Sequence, residues 1–338
     1  MIWSLYAMLG QNMWWVDNPK LNFDEKAWDA VLDACHKHGL NQIVLDVGEG
    51  LQYQSYPELA REGAWSHDRA KAEVKRCREL GIELIPKLNF SATHHTWLGE
   101  YGQMMSSSIY YKACREIIKE VYEAFDRPRY FHLGMDEEGD PQFFKKTDMV
   151  HYRQGELIWH DLKFLIDVVK SCGAKPWIWG DTSVFTPEEF RAHIPTDDVV
   201  LQPWIYFAVR REHWTAVNSK ERYQKSSEGK DRKIQFMEEA PIWQKMTHEG
   251  VKAMNDGYET VPTPSNWGQT PWCHYDVVEH FVNNNVSGKL LGFMTAPWVT
   301  TSYLPLDCWG ESGLTHLDFI IEAIEQLAAA RDKFCKDI

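Results

Sequence analysis

The chain repeats one pattern, a helical stripe followed by a glycine and then by a short apolar segment. Apolar residues fall at i, i+3, i+4 and i+7 from Trp28, which is the spacing of one buried helix face. Gly39 follows the stripe, where a helix end favours a residue that accepts positive φ. The segment 41–50 is then a compact apolar run that ends in acids and glycines. This unit recurs along the sequence and predicts alternating helices and strands.

Eight such apolar segments are present, and each is almost wholly apolar. Strands of this kind are typical of parallel sheets that are buried on both faces. A doubly wound open sheet is the rival, but no GxGxxG or GxxxxGK[ST] follows any segment. We therefore predict a (β/α)8 TIM barrel that forms a single α/β domain over residues 1–338, with an insertion around 207–256. The predicted strands lie in segments 1–9, 41–50, 82–90, 129–138, 175–181, 198–206, 257–264 and 289–298.

The charge and the apolar runs limit the partners. Lys and Arg number 36 against 49 Asp and Glu, a net charge of −13, which argues against binding to a phosphate backbone. No run approaches ~18 consecutive apolar residues, so we expect no membrane-spanning helix. The seven cysteines are scattered and form no CxxC, which favours reduced thiols. The N-terminal segment lacks the features of a signal peptide, so we expect a cytoplasmic protein; a secreted chain trimmed of its signal gives the same sequence.

In a barrel of this class the chemistry lies at the carboxyl ends of the strands. The residues at these predicted ends are rich in carboxylates and aromatic rings, and the chain has 16 Trp in all. Aromatic faces stack on sugar rings and carboxylates bind hydroxyl groups, so the set predicts a carbohydrate as the partner. The candidate binding residues are Asp46, Glu49, Asn89, His94, His132, Trp179, Asp181, Trp204, Tyr206, Trp267 and Trp298.

The sharpest local signal is the sequence His-Leu-Gly-Met-Asp-Glu at 132–137. Adjacent side chains alternate along a strand, but Asp136 and Glu137 stand where the strand gives way to a loop, so both can face one pocket. Burial can keep one carboxyl group protonated while its neighbour stays ionised. Glycosidic bond cleavage needs such a pair, a proton for the leaving oxygen and a negative charge against the oxocarbenium-like centre.

The segment resembles the His-x-Gly-Gly-Asp-Glu motif of glycoside hydrolase family 20, the β-N-acetylhexosaminidases, whose catalytic domain is a (β/α)8 barrel. The resemblance implies that Glu137 is the general acid/base and that Asp136 orients the 2-acetamido group of the substrate, which is the nucleophile. It also implies that Trp179, Trp204 and Trp298 line the acetamido pocket. Further similarity lies in segments 81–95, 177–181, 201–204 and 292–298.

The sequence also departs from the family pattern. Met135 replaces the second glycine of the motif, Asn89 stands where the family has Asp, and the first strand lacks the Asp-x-x-Arg pattern. If the acetamido mechanism does not apply, a separate carboxylate must be the nucleophile or base, and Glu49, Asp181 and Asp46 are the candidates. A carboxyl separation from Glu137 of ~5–5.5 Å indicates retention, and ~6.5–9.5 Å indicates inversion.

Two other classes stay open. A metal-dependent sugar-processing barrel could use His94, His132, Asp136 and Asp181 as ligands, but these positions form no recognisable ligand spacing. We therefore predict no metal and no cofactor. A non-catalytic sugar-binding barrel would keep the aromatic residues and lack turnover.

Overall fold

A computed structural model describes residues 1–10, 12–13, 16–138, 153–207, 209, 243–267, 272–301 and 315–336. Within these ranges eight parallel strands form a barrel with helices around it, which confirms the predicted fold class. Each predicted apolar segment contains one of the barrel strands. These are β1 (Ile2–Met8), β2 (Gln42–Asp46), β3 (Glu83–Lys87), β4 (Tyr130–His132), β5 (Lys175–Trp179), β6 (Val200–Gln202), β8 (Glu259–Thr260) and β10 (Gly292–Thr295).

The strands pair in the order β10-β1-β2-β3-β4-β5-β6-β8. Parallel pairing of Thr260 with Leu290 joins β8 to the segment before β10 and closes the ring. Two short strands, β7 (Trp204–Ile205) and β9 (Thr263–Pro264), pair with each other and extend the barrel wall beyond β6 and β8.

The described helices cover the outside of the barrel, and their ends follow the local sequence. Asp24 caps α1 by accepting a hydrogen bond from the backbone of Ala27. Thr315 and Asp318 form the predicted capping box at the last helix. The helices are α1 (Glu25–Lys37), α2 (His67–Glu79), α3 (Ser108–Ala124), α4 (Glu156–Cys172), α5 (Asp181–Phe185), α6 (Pro187–His193), α7 (243–255), α8 (Cys273–Asn283) and α9 (His316–Phe334). Short 3₁₀ segments span Gly48–Gly50, Pro57–Leu59 and Ala92–Met104.

Residues 243–255 lie inside the predicted insertion, yet they form α7 beside the barrel. The polar stretch 218–233 of that insertion lies outside the described residues. The extent of the insertion, and the single-domain organisation over 1–338, therefore stay predictions.

Side chains on the strands alternate between two apolar layers. One layer packs between strands and helices, and contains Trp28 and the rest of the α1 stripe. The other fills the barrel interior and includes Tyr6, Ile85, Trp177, Trp179 and Met294. Among the described helices, none is both long and apolar enough to cross a bilayer. The arrangement brings the carboxyl ends of all eight strands to one pole.

Candidate active site

The backbone after β4 turns sharply and places both motif carboxylates at one pole of the barrel. Gly134, Met135 and Glu137 all have positive φ, at 74°, 72° and 54°. Non-glycine residues seldom adopt this region, and they persist there when the surroundings hold them. The turn lets Asp136 and Glu137 approach the same imidazole, that of His94.

Asn89 holds this turn from the end of β3. Its Oδ1 accepts hydrogen bonds from the backbone of Met135 (3.2 Å) and of Ser91 (3.1 Å), and its Nδ2 donates to Asp136 Oδ1 (2.7 Å). A Cβ on Gly134 would lie 2.1 Å from Asn89 Oδ1, so only glycine fits there. An ionised Asp at position 89 could not donate a hydrogen bond to Asp136. The Asn that stands here in place of the family Asp provides this donor.

Asp136, Glu137 and His94 form the acid cluster. His94 Nε2 lies 3.6 Å from Asp136 Oδ2 and 3.7 Å from Glu137 Oε2. The Asp136 side chain is 7% exposed and that of Glu137 is 23% exposed, so Glu137 is the more accessible acid. Burial lowers the pKa of His94, although the charge of Asp136 opposes this.

Asp181 at the start of α5 supports the acid cluster from the opposite side. Its Oδ1 accepts a hydrogen bond from the backbone of Glu137 (3.1 Å), and its Oδ2 accepts one from Trp204 Nε1 (2.6 Å). Burial and the charge of Asp136 raise the pKa of Asp181 to about 7. Near neutral pH the protonated and ionised forms of Asp181 are therefore both populated.

Tyr6, Trp179, Tyr206 and Trp298 form an aromatic box beside the acid cluster. Trp179 and Trp298 stack with ring centroids 5.6 Å apart, and Tyr206 lies 6.1 Å from Trp298. Tyr6 lies below both indoles, 4.8 Å from Trp298 and 5.8 Å from Trp179. Burial and the charge of Asp136 raise the pKa of Tyr206, so its phenol stays a hydrogen-bond donor. These rings pack against one another next to the two carboxyl groups, and Trp298 is the one that is not fully buried.

The other two predicted indoles have different positions. Trp204 packs on Tyr206 and on Trp243 of α7, each with ring centroids 5.1 Å away, while its nitrogen binds Asp181. Trp267 is 50% exposed and lies 6.2 Å from Tyr206, at the rim. Trp243 was missed in the sequence because it falls in the predicted insertion. Its helical spacing to Met246 and Thr247, both buried, was the available signal.

His132 lies in the barrel interior beneath the turn and is buried. Its Nδ1 accepts a hydrogen bond from the backbone of Gly134 (3.0 Å), so its Nε2 donates to Gln202 Oε1 (2.8 Å). Burial lowers the pKa of His132 well below its ordinary value, and the charge of Lys87 adds to this. Both ring nitrogens are engaged, so the geometry gives His132 a supporting role in place of the predicted sugar contact.

Asp46 is likewise engaged inside the barrel. It accepts hydrogen bonds from Tyr6 Oη (2.7 Å) and from Lys87 Nζ, which is 1% exposed on its side chain. Lys87 was not among the predicted site residues, although it is paired in register with Asp46 and therefore points to the same interior. Glu49 is also buried and accepts a hydrogen bond from the backbone of Asn12 (3.1 Å). Asp46 and Glu49 line a small cavity with Asn89 and His94.

The Glu138 side chain is buried, with 5% of its surface exposed. Its two oxygens accept hydrogen bonds from Arg153 Nε and Nη2, each at 3.0 Å. Arg153 also donates to the carbonyl of Phe90 (2.6 Å) and contacts Asp161 at 3.4 Å. The ion pair therefore anchors the segment next to Glu137. Nothing in the local sequence pairs residue 138 with residue 153.

Solved structures resemble this chain, whereas no protein-family model and no curated protein matches it. A β-N-acetylhexosaminidase from Bacteroides fragilis has a TM-score of 0.57 and 14% identity, over 96% of this chain and 65% of that one. The family 20 β-N-acetylhexosaminidase from Streptomyces coelicolor has a TM-score of 0.57 and 12% identity, over 96% and 63%.

An exo-β-N-acetylglucosaminidase from Vibrio harveyi, solved with N-acetylglucosamine, has a TM-score of 0.57 and 11% identity. That match covers 96% of this chain and 56% of the Vibrio protein. The chain thus spans about half to two thirds of the length of these three proteins. The chain therefore shares the barrel fold of the glycoside hydrolase family 20 β-N-acetylhexosaminidases, in a form of widely diverged sequence.

Proposed function

We propose that this protein is a glycoside hydrolase, exo-acting and β-N-acetylhexosaminidase-like. In this proposal Glu137 is the general acid/base, and Asp136 orients the 2-acetamido group that attacks the anomeric carbon with retention of configuration. The observation that carries it is the pair of adjacent carboxyl groups of Asp136 and Glu137 on one histidine, next to an aromatic box. Glycosidic cleavage uses this combination of a proton donor and an anion.

The different surroundings of the two carboxyl groups support different roles. Glu137 is the more exposed, so its proton can reach a leaving oxygen outside the pocket. Asp136 is the more buried, and the hydrogen bond from Asn89 fixes one of its oxygens. An ionised, fixed carboxylate suits an acceptor for the acetamido N–H, because it raises the electron density on the attacking carbonyl oxygen.

The aromatic box supports a site for an acetamido methyl group and a sugar ring. Stacked indoles at Trp179 and Trp298 give apolar walls, and the protonated phenol of Tyr206 offers a donor for the acetamido oxygen.

The alternative is a glycosidase for a non-acetamido sugar with a separate carboxylate nucleophile. Asp181, Asp46 and Glu49 are the candidates, and all three already accept hydrogen bonds within the protein. The raised pKa of Asp181 also leaves much of it protonated near neutral pH, which makes it a weaker nucleophile. These observations favour the substrate-assisted route.

A panel of aryl glycosides with and without a 2-acetamido group tests the proposal. We expect cleavage of the 2-acetamido sugars, while cleavage of only the 2-hydroxy sugars contradicts substrate assistance and supports the alternative. Binding without turnover of any member supports the non-catalytic class.

The leaving group tests the role of Glu137. A general acid raises the reaction rate by roughly 10²–10⁴-fold. The contribution is largest when the leaving group is a poor one, because such a group must be protonated as it departs. We expect Glu137→Gln to lose about that factor in kcat/KM on a phenyl glycoside and far less on a dinitrophenyl glycoside. The matched control is Glu79→Gln on the exposed surface of α2, which should retain wild-type rates on both. Equal losses of the Glu137 variant on the two substrates would exclude it as the acid.

A further inference from the structure

His94, Asp136 and Glu137 place three metal-ligand atoms around one point. One imidazole nitrogen and two carboxylate oxygens lie within 4.8 Å of one another. His94 and Asp136 are buried and Glu137 is partly exposed, so the cluster opens toward the pocket. A histidine with two carboxylates is a ligand set that suits Zn²⁺ and related divalent ions.

One ring nitrogen of His94 is held from outside the cluster. Thr93 Oγ1 lies 2.8 Å from His94 Nδ1 and 3.0 Å from Ser91 Oγ. In the tautomer with its proton on Nδ1, the ring donates to Thr93 Oγ1 and the lone pair of Nε2 points to the two carboxylates. We assign this tautomer to the ring that binds an ion.

The distances fit a tetrahedral ion. Zn²⁺ lies about 2.0–2.2 Å from nitrogen and oxygen ligands, so two ligands of a tetrahedral ion are about 3.4 Å apart. His94 Nε2 lies 3.6 Å from one oxygen of Asp136 and 3.7 Å from one of Glu137. Two of the three ligand pairs are thus close to the tetrahedral spacing, and all three ligand atoms lie within 4.8 Å of one another.

Outer hydrogen bonds already orient two of the three ligands. Thr93 binds the distal nitrogen of His94, and Asn89 binds the second oxygen of Asp136. Such partners fix ligand orientation, and removing one typically costs 10–100-fold in metal affinity. Three protein ligands leave the fourth position of a tetrahedral ion open toward the pocket.

We propose that His94, Asp136 and Glu137 bind one Zn²⁺ ion, and that the bound ion blocks hydrolysis. The blocking follows because a carboxylate that coordinates Zn²⁺ cannot carry the proton that Glu137 donates to the leaving group. The inhibition rests on the function proposed above, whereas the metal site itself does not. The sequence predicts no metal site, since His94 lies 42 and 43 positions before Asp136 and Glu137 and the three residues form no ligand motif.

Co²⁺ is a spectroscopic substitute that tests the site without any activity assay, because tetrahedral Co²⁺ absorbs visible light strongly. We expect one saturable equivalent of Co²⁺ with this absorption, and its displacement by Zn²⁺. Glu137→Gln should lose the absorption, and Thr93→Val should weaken binding by roughly 10–100-fold while keeping all three ligands. The control His193→Gln, a histidine stacked on Trp159 and outside the three ligands, should bind as the wild type does.

Thr93→Val and Glu137→Gln keep the test decisive if replacement of buried His94 prevents folding. Absence of a saturable one-to-one Co²⁺ complex in the wild type overturns the site, and so does unchanged affinity in both variants.

Zn²⁺ titrated into a hydrolysis assay should abolish turnover, and a chelator should restore it. Turnover that persists with the site saturated overturns the inhibition. A protein that binds Co²⁺ as described but cleaves no glycoside upholds the site and refutes the proposed function.

Discussion

Replacing Asp181 by Asn removes a carboxyl group whose ionisation opposes folding. Burial and the charge of Asp136 raise the pKa of Asp181 to about 7 in the folded protein, against about 3.9 in an unfolded chain. Between these values the folded state binds more protons at this position than the unfolded state does. The free energy of unfolding of the wild type therefore falls as the pH rises through this window.

The magnitude follows from the width of the window. Each pH unit contributes about 1.4 kcal/mol while the folded group stays protonated, so raising the pH from about 5 to about 8 lowers the free energy of unfolding by about 3 kcal/mol. The Asn side chain has one acceptor for two donors, the backbone of Glu137 and Trp204 Nε1. The donor left without a partner costs about 1–3 kcal/mol at every pH. Asp181→Asn should therefore be less stable than the wild type at about pH 5 and should recover about 3 kcal/mol relative to it by about pH 8.

Urea unfolding followed by tryptophan fluorescence at about pH 5 and about pH 8 measures this difference. Asp167→Asn on the exposed face of α4 is the matched control, and its unfolding should follow the wild-type pH dependence. Parallel pH dependence of the wild type and Asp181→Asn would refute the reasoning. It would mean that Asp181 is already ionised in the folded protein well below neutral pH.

Two further substitutions test how the site is held. Gly134→Ala should lose about 2–5 kcal/mol of stability in thermal unfolding, because its Cβ would meet Asn89 at positive φ. Gly81→Ala is the matched control at the same φ with open space around it, and should lose only about 1–2 kcal/mol; equal losses contradict the clash. Arg153→Met should lose about 3–5 kcal/mol by chemical denaturation, because it leaves Glu138 buried without its cation. A loss under about 1 kcal/mol would show that this ion pair does not anchor the segment.

The pattern of strands and helices could be predicted from the sequence because it depends on local chemistry. Helical stripes, glycines after helix ends and apolar segments predicted all eight barrel strands, and the capping box at α9 followed from Thr315 and Asp318. The helix α7 was missed although its apolar positions recur at helical spacing. Its residues lie in the predicted insertion between the sixth and seventh strands, whose extent stays a prediction.

The candidate site could be predicted from the sequence only in part. Residues at strand ends meet at one pole in a closed barrel, so Asp136, Glu137 and the box residues Trp179, Tyr206 and Trp298 could be grouped in advance. Whether a strand-end residue faces the pocket or the interior depends on its partners. His132, for example, bonds with Gln202 on another strand and lies below the pocket.

The sequence by itself determined the barrel class and the pole at which the carboxylates and indoles gather, because strand periodicity and helix ends are set by near neighbours in the chain. Only the tertiary structure decided which groups are paired, which are buried and which share one imidazole. Arg153 meets Glu138, Lys87 meets Asp46, and Asp181 holds the backbone of Glu137, because closure of the barrel brings separate strand ends within hydrogen-bond distance. Those contacts set the charges at the pole, and the charges decide what chemistry the site can perform.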